Sequence, residues 1–236
     1  MSPPSDSGSQ TASFASNEEE STYLVRSRLL HWTRVGLSVM IIGAAAAAAG
    51  LEGRPLHYFH QTRPYSDLWL YLWPEHLDLR PSHAAVACAG IITFLTLCYL
   101  VVSFLPSPHS RTMLLNIFAS FVGFAGVVVS IISVALSSAL ANPHTVDGTE
   151  LGETINTWTC KWSFADGKDH IGDAVDATDG FGRYCRETRA SFALMCVLIV
   201  LEVVFLGATG CGYWLEAKMG KKRRNAGTEM GKMDTW

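Results

Sequence analysis

The sequence predicts an all-α fold: an antiparallel bundle of four transmembrane helices with a disordered N-terminal tail and a long second exofacial loop. The chain has 236 residues and a net charge of -3, but its charges are unevenly placed. Four long stretches contain almost no Asp, Glu, Lys or Arg, and a helix needs about 20 mainly apolar residues to cross a bilayer. Basic residues gather before the first stretch and behind the last, which is typical of a multi-pass membrane protein.

The first element is a tail, residues 1–28, that is rich in Ser and poor in large apolar residues. Such a composition buries too little apolar surface to fold, so we expect a disordered cytosolic segment. The first span follows at 29–51, with an apolar core from Val35. A secretory signal peptide is the alternative, but its core would follow more than thirty residues, which is long for such a signal. We therefore favour a retained signal-anchor helix.

The other three spans are predicted at 84–105, 113–141 and 190–215. The third has no charged residue, and the fourth has one, Glu202. Pro106 and Pro108 lie in the short connection between the second and third spans, which predicts a tight turn and antiparallel neighbours. Residues 216–236 are expected to form a basic cytosolic tail.

The basic residues predict the orientation, because positive charge near span ends marks the cytosolic side. The residues concerned are Arg26, Arg28, Arg34, Arg111, Lys218, Lys221, Lys222, Arg223, Arg224 and Lys232. Both termini are therefore expected in the cytosol, with 52–83 and 142–188 outside the cell or in a lumen. The plasma membrane and the membranes of the secretory pathway both fit this arrangement.

Four of these basic residues, Lys221, Lys222, Arg223 and Arg224, follow the last span directly. Such a cluster attracts anionic lipid headgroups, at about 1 kcal/mol per charge near the surface. A plain topology signal explains the same four residues.

Residues 165–180, ADGKDHIGDAVDATDG, combine acids and glycines as a calcium loop does. An EF-hand loop needs acids at alternate positions and a closing glutamate. Here the acids at 166, 169, 173, 176 and 179 are three or four positions apart, and the glycines oppose a stable helix. We expect a solvated acidic loop, with weak binding of an extracellular cation as the alternative.

Cys160 and Cys185 are the two cysteines outside the predicted spans, and both lie in the second exofacial loop. An oxidising compartment would pair them, so we predict a disulfide, with two free thiols as the alternative. The remaining cysteines, Cys88, Cys98, Cys196 and Cys211, are expected to pack as small apolar residues. S-palmitoylation of Cys211, near the cytosolic face, is a second interpretation.

The first exofacial loop contains DLWLYLWPEHLDLRP. Trp69, Tyr71 and Trp73 are amphipathic aromatics of the kind that favour the membrane interface, so we expect a short interfacial segment over the bundle. A partner-binding patch is the alternative. The histidines of this loop show no metal-ligand spacing.

Small residues of the third span fall along one helix face, where they allow close helix packing in lipid. This predicted packing seam consists of Ala119, Gly123, Gly126, Ser130, Ser133 and Ser137, with Asn116 and Ala141 at its ends.

Glu202 is placed near the middle of the fourth span, in a polar stripe with Ser191, Thr209 and Tyr213. A charged acid at that depth costs about 2.5–3.5 kcal/mol on insertion scales, so the side chain should point inward. Counting from each helix end places it level with 127–130, which predicts a contact with Ser130. Structural and transport roles both remain open for this acid.

No nucleophile–base pair, phosphate loop or zinc motif is present in the sequence. We expect a non-enzymatic protein without metal, cofactor or nucleic-acid partner.

The four-span layout over about 29–215 resembles the broad class that includes MARVEL-domain, claudin and tetraspanin proteins. Tetraspanins carry Cys-Cys-Gly in the second outer loop, where this chain has TWTCKW, and claudins carry two cysteines in the first outer loop, which here has none. The cysteine pair in the second loop is similar to that of MARVEL-like proteins. The segment LWPEHLDLRP resembles segments of uncharacterised four-span membrane proteins of filamentous fungi.

The resemblance implies a role in membrane organisation or trafficking, through the bilayer and other membrane proteins, and self-association is compatible with it. The alternative is a small transporter or channel subunit that uses Glu202.

Overall fold

The computed structural model describes residues 7–64, 72–74, 76–105, 112–140, 144–146, 149–163 and 180–233. Its elements, in chain order, are α1 (Ser7–Thr62), α2 (Arg80–Phe104), α3 (Thr112–Ala139), β1 (His144–Val146), β2 (Thr149–Leu151), α4 (Ile155–Lys161) and α5 (Phe181–Met233). Several predictions fall outside the described residues: the acidic loop up to Asp179, the interfacial Trp69 and Tyr71, and Ala141.

The predicted all-α bundle is confirmed. Four helices are long and apolar enough to cross a membrane, at Val25–Thr62, Arg80–Phe104, Leu114–Ala139 and Phe181–Lys218. Large apolar side chains on all four, such as Met40, Phe94, Phe124 and Val200, remain exposed. Water-soluble monomers rarely expose so much contiguous apolar surface, so this perimeter is the lipid-facing surface.

The first and last spanning helices, α1 and α5, are longer than the predicted spans. Helix α1 begins at Ser7, inside the predicted tail, and continues past position 51 to Thr62. Residues 25–29 are exposed, and Arg34 is the first buried side chain among those described. A helix without tertiary packing is marginal in water, which is compatible with the expectation of a disordered tail. Helix α5 begins at Phe181, nine residues before the predicted span.

The four long helices form a ring. Helix α1 packs against α2 and α5, and α3 packs against the same two helices from the opposite side. Contacts at the two ends fix the directions, since Arg34 of α1 meets Thr209 of α5, and Arg54 meets Glu187. Neighbours in the ring are therefore antiparallel, and both ends of the chain leave from the same end of the bundle, here called the termini end. The opposite end is called the cap end.

Buried positions follow a seven-residue repeat. In α1 the repeat runs through 34, 38, 41, 45, 48, 52, 55, 59 and 62, with Val35 also buried, and in α5 it runs through 188, 191, 195, 198, 202, 205 and 209, with Phe181, Cys185 and Glu187 also buried before it. Alternating steps of three and four residues are the pattern of coiled coils, in which one seam of each helix always faces its partners. Any polar residue at one of these positions is therefore carried into the bundle.

A small cap covers one end. It consists of α4, the hairpin of β1 and β2, and the stretches 72–74 and 76–79. Helix α4 begins with a capping box between Thr154 and Thr157, and the backbone N–H of Asp78 donates to the Glu153 carbonyl (2.8 Å). No regular structure was predicted in this region from the sequence.

Aromatic side chains fasten the cap to the bundle. Trp73 is buried among Phe59, Phe181 and Tyr58, and its indole N–H donates to Thr62 (2.7 Å). Trp73 was predicted to lie at the membrane interface, and it instead forms part of a packed cluster. Its two companions in that prediction lie outside the described residues.

Candidate functional site: polar groups inside the bundle

Glu202 points into the bundle. Its side chain is 1 % exposed, and its carboxyl group rests against Gly126 of α3. The space exists because position 126 has no side chain: a Cβ atom there would collide with the carboxyl group. Neither carboxylate oxygen has a hydrogen-bond partner within the described part of the chain.

Ser130 lies one helical turn beyond Gly126 and is fully buried. Its hydroxyl is also without a hydrogen-bond partner among the described residues, so no Glu202–Ser130 hydrogen bond forms. The carboxyl group rests against Gly126, one residue from the predicted level of 127–130. Thr96 of α2 adds another buried hydroxyl without a partner.

The small residues of α3 lie on its buried side. Gly123 contacts Leu206 and Phe205 of α5, at distances that leave no room for a larger residue. Small residues in lipid allow this close approach of two helices. The predicted seam residues Ala119, Gly123, Gly126, Ser130 and Ser133 are buried, and Ser137 is half-buried.

At the termini end, Arg34 ties three helices together. Its guanidinium donates to Asn116 Oδ1 (2.6 Å) and to the carbonyls of Ala208 (3.1 Å) and Thr209 (3.4 Å). Asn116 in turn donates to Glu216 Oε2 (2.9 Å). Arg34 was predicted to lie at the mouth of the first span, whereas its side chain is buried in the bundle and only 6 % exposed.

At the cap end, a cavity of about 340 Å³ opens between the helices, and Glu52 lines it. Glu52 was assigned to the first exofacial loop, but α1 continues through it and its side chain is 8 % exposed. The hydroxyls of Ser82 and Ser191 lie near its carboxyl group, and the Ser191 hydroxyl donates to the Ala48 carbonyl (3.1 Å). The cavity is called the Glu52 pocket. Its other lining residues are Pro81, Ala85, Val134, Ser137, Ser138, Thr154, Asn156, Thr188, Phe192 and Met195.

An apolar layer separates the Glu52 pocket from Glu202. Ser191 and Glu202 are eleven positions apart on α5, or about 16 Å along a helix. Most of the intervening core positions are apolar and at most 2 % exposed: Ile41, Ala45, Ile92, Met195 and Leu198. Arg34, Glu202 and Glu52 therefore occupy three separate levels, with Arg34 at the termini end, Glu202 in the middle and Glu52 near the cap.

The predicted disulfide is confirmed. Cys160 of α4 and Cys185 of α5 are bonded, with a Cα–Cα distance of 4.8 Å. Beside the bond, Thr188 donates to Asn156 Oδ1 (3.1 Å), and both of these residues line the Glu52 pocket. The disulfide therefore holds the α4 wall of the pocket in place.

Other candidate residues are only partly placed. Cys211 is exposed and Lys221 is exposed, while the side chains of Lys222, Arg223 and Arg224 lie outside the described part. Palmitoylation and anionic-lipid contact stay predictions. Within the described residues, no group of three His, Cys, Asp or Glu side chains could hold a metal ion.

Arg34 and Glu52 were not predicted to lie inside the bundle, because charged residues were taken to mark the ends of the spans. The signal that would have found them is the seven-residue repeat, in which positions 34 and 52 stand in step with Ile41, Ala45 and Ala48. Their inclusion adds a base and a second acid to the spans.

No known family model matches the chain, and no curated protein or solved structure matches it significantly.

Proposed function

We propose that this integral membrane protein is a non-enzymatic organiser, a MARVEL-like or tetraspan-like scaffold that holds neighbouring membrane proteins or assists their trafficking. The observation that carries the proposal is the cap that is fastened to one end of the bundle. It is tied to the bundle by the Cys160–Cys185 bond and by Trp73, and within the cap the Trp158 indole N–H donates to the Leu72 carbonyl (3.2 Å). A fixed shape of this kind, beyond the bilayer, suits recognition by contact.

The interior of the bundle supports the same role. Its four spanning helices run without a break, and an apolar layer closes the axis between the Glu52 pocket and Glu202. Transporters usually place their sites at broken helices. In this proposal Arg34 and Glu202 set how the helices pack, and the exposed apolar perimeter contacts lipid and partner helices.

The basic residues around the span ends support a cytosolic location for both termini, in the plasma membrane or a secretory-pathway membrane. The cap then faces the exterior or a lumen. An oxidising compartment is also where the Cys160–Cys185 bond would persist.

Proximity labelling in living cells tests the organiser role. A peroxidase fused to a short exofacial tag would label neighbours of the wild type and of the Cys160→Ser/Cys185→Ser variant. We expect the variant to lose a defined subset of neighbours while reaching the same membrane, because its cap is no longer fixed. An identical neighbour set for both proteins contradicts the proposal.

The second candidate is a small transporter or channel subunit, which is favoured by the carboxyl group of Glu202, because it has no hydrogen-bond partner among the described residues. A flux assay on purified protein in liposomes that hold a pH-sensitive dye distinguishes this candidate from the organiser. A pH-dependent flux that Glu202→Gln abolishes, with folding intact, would support transport. Absence of flux in the wild type together with altered neighbours in the cap variant supports the organiser.

A further inference from the structure

We propose that the Glu52 pocket binds a primary ammonium group, carried by a small free amine or by the ethanolamine headgroup of a lipid. This site is distinct from the cap surface on which the proposed organiser role depends.

The pocket is built by the whole molecule. All four spanning helices and α4 contribute to its wall, and the volume of about 340 Å³ is within the range of small-molecule sites. Its position between the beginning of α2 and the end of α3 places it at the edge of the apolar perimeter. In this proposal the edge of the perimeter is the level of the lipid headgroups.

Glu52 supplies the charge. It is the one ionisable side chain among the lining residues, and it is more than nine-tenths buried. The ion pairs nearby join Arg54 and Arg183 to Glu187, and within the described residues no cation is paired with Glu52. A buried carboxylate without a counter-ion is unfavourable, so a cationic ligand would supply the missing charge.

The neutral groups of the wall favour an ammonium ion that carries hydrogens. An ammonium group has three N–H donors, and the wall offers hydroxyl oxygens and the Asn156 side chain as acceptors. Hydroxyls near the carboxyl group come from Ser82 and Ser191. Quaternary ammonium ions donate no hydrogen bond and are held by cages of aromatic rings, whereas Phe192 is the single aromatic residue of this lining.

The opening fits either source of the ligand. Ser138 of α3 and Phe192 of α5 line the pocket and are also exposed, so the pocket reaches the side of the bundle between these two helices. A headgroup can enter from the bilayer through this side, and a free amine can enter from the adjacent aqueous phase.

Calorimetric titration of the purified full-length protein with ethanolamine, and separately with choline, tests binding of the free amine. Thermal unfolding in nanodiscs of phosphatidylcholine, with or without phosphatidylethanolamine, tests the lipid source. We expect the wild type to respond to the primary amine in at least one format. Glu52→Gln should weaken that response about tenfold or more, because it removes a charge-assisted hydrogen bond.

Two further variants control for folding. Glu202→Gln makes the same carboxyl-to-amide change outside the pocket and should bind as the wild type does. Ser138→Phe fills the opening, leaves Glu52 in place and should also abolish binding. Saturable binding of ethanolamine identifies a free amine as ligand, and stabilisation by phosphatidylethanolamine alone identifies the headgroup.

The proposal is overturned if the wild type responds to neither probe, if choline matches ethanolamine, or if Glu52→Gln and Ser138→Phe both keep the wild-type response. None of these outcomes depends on the neighbour sets that test the organiser role, so the two proposals fail separately.

Discussion

Position 126 shows how one missing side chain decides the place of another. Because Gly126 presents no Cβ atom, the carboxyl group of Glu202 occupies that space in the helix contact. We expect Gly126→Ala to displace Glu202 and lower the free energy of unfolding by about 1–3 kcal/mol, the usual cost of overpacking. Thermal and denaturant unfolding in detergent would measure the change.

Gly43→Ala is the matched control for this prediction. A Cβ atom at Gly43 meets no other atom within 4 Å, and the position is inside α1. Alanine is the better helix former by about 0.8–1 kcal/mol, so this variant should be as stable as the wild type or slightly more. Equal losses at both positions would show that Glu202 is not held as described.

Arg34 provides a second residue-scale prediction. Replacing it by Met keeps most of the apolar stem, leaves Asn116 Oδ1 without its donor, and removes the additional hydrogen bonds to the Ala208 and Thr209 carbonyls of α5. We expect a loss of about 1–3 kcal/mol, mainly the desolvation cost of the buried acceptor of Asn116. Arg28→Met, at an exposed position of the same helix, should change little. Similar stability of the two variants would argue against the Arg34 tie.

At the scale of elements, the disulfide joins the short α4 to the long α5. The two cysteines are 25 residues apart, and closing a loop of that length stabilises a fold by about 3 kcal/mol in the chain-entropy model. Cys160→Ser/Cys185→Ser should therefore unfold at lower temperature, and a reductant should lower the wild type to the same value. Differential scanning fluorimetry would follow both.

The matched control for the disulfide is Cys211→Ser, which removes an exposed free thiol of α5. It should retain the wild-type transition and its sensitivity to reductant. If the reductant leaves the wild-type transition unchanged, the cap is held by its aromatic contacts rather than by the sulfur bridge.

The elements also show what sequence could predict. Four apolar stretches without charge are a strong signal, and each proved to be a helix. The helix ends were predicted less accurately, because the charged residues Arg34 and Glu52 were taken to mark the ends of the first span. The repeat of buried positions continues through both residues. Helix α4 is too short to show a periodic pattern in the sequence. Its N-cap residue, Thr154, is held in place by a β-bridge to Asp78, and this long-range pairing is not visible in the local sequence.

The candidate site was harder to predict for a related reason. Glu202 stands alone in an apolar stretch, so its depth was evident from position alone. The Glu52 pocket is formed by residues from five helices that are far apart in the sequence. Only packing brings Ser82, Ser138 and Thr188 to one cavity, and packing partners cannot be read from one helix at a time.

For the whole molecule, the decisive prediction is its orientation. Epitope tags at both termini should be reached by antibody only after the cell membrane is permeabilised. Cys160 and Cys185 should react with an impermeant maleimide from outside, and only after reduction. Tags that are accessible in intact cells, or cysteines that react without reductant from the cytosolic side, would invert the arrangement.

The ties of α1 have a consequence for how the protein is made. Of the described helices, α1 is synthesised before the others, yet the hydrogen-bond partners of Arg34 follow much later in the chain: Asn116 comes 82 residues later and Ala208 comes 174 residues later. The Ala48 carbonyl likewise accepts a hydrogen bond from Ser191, which follows it by 143 residues. Domains generally form during synthesis from the N-terminal side. The polar groups of α1 therefore lack these hydrogen-bond partners in the bilayer during most of translation. Retention of this helix by the insertion machinery or a membrane chaperone until α5 arrives would protect the nascent chain from premature degradation.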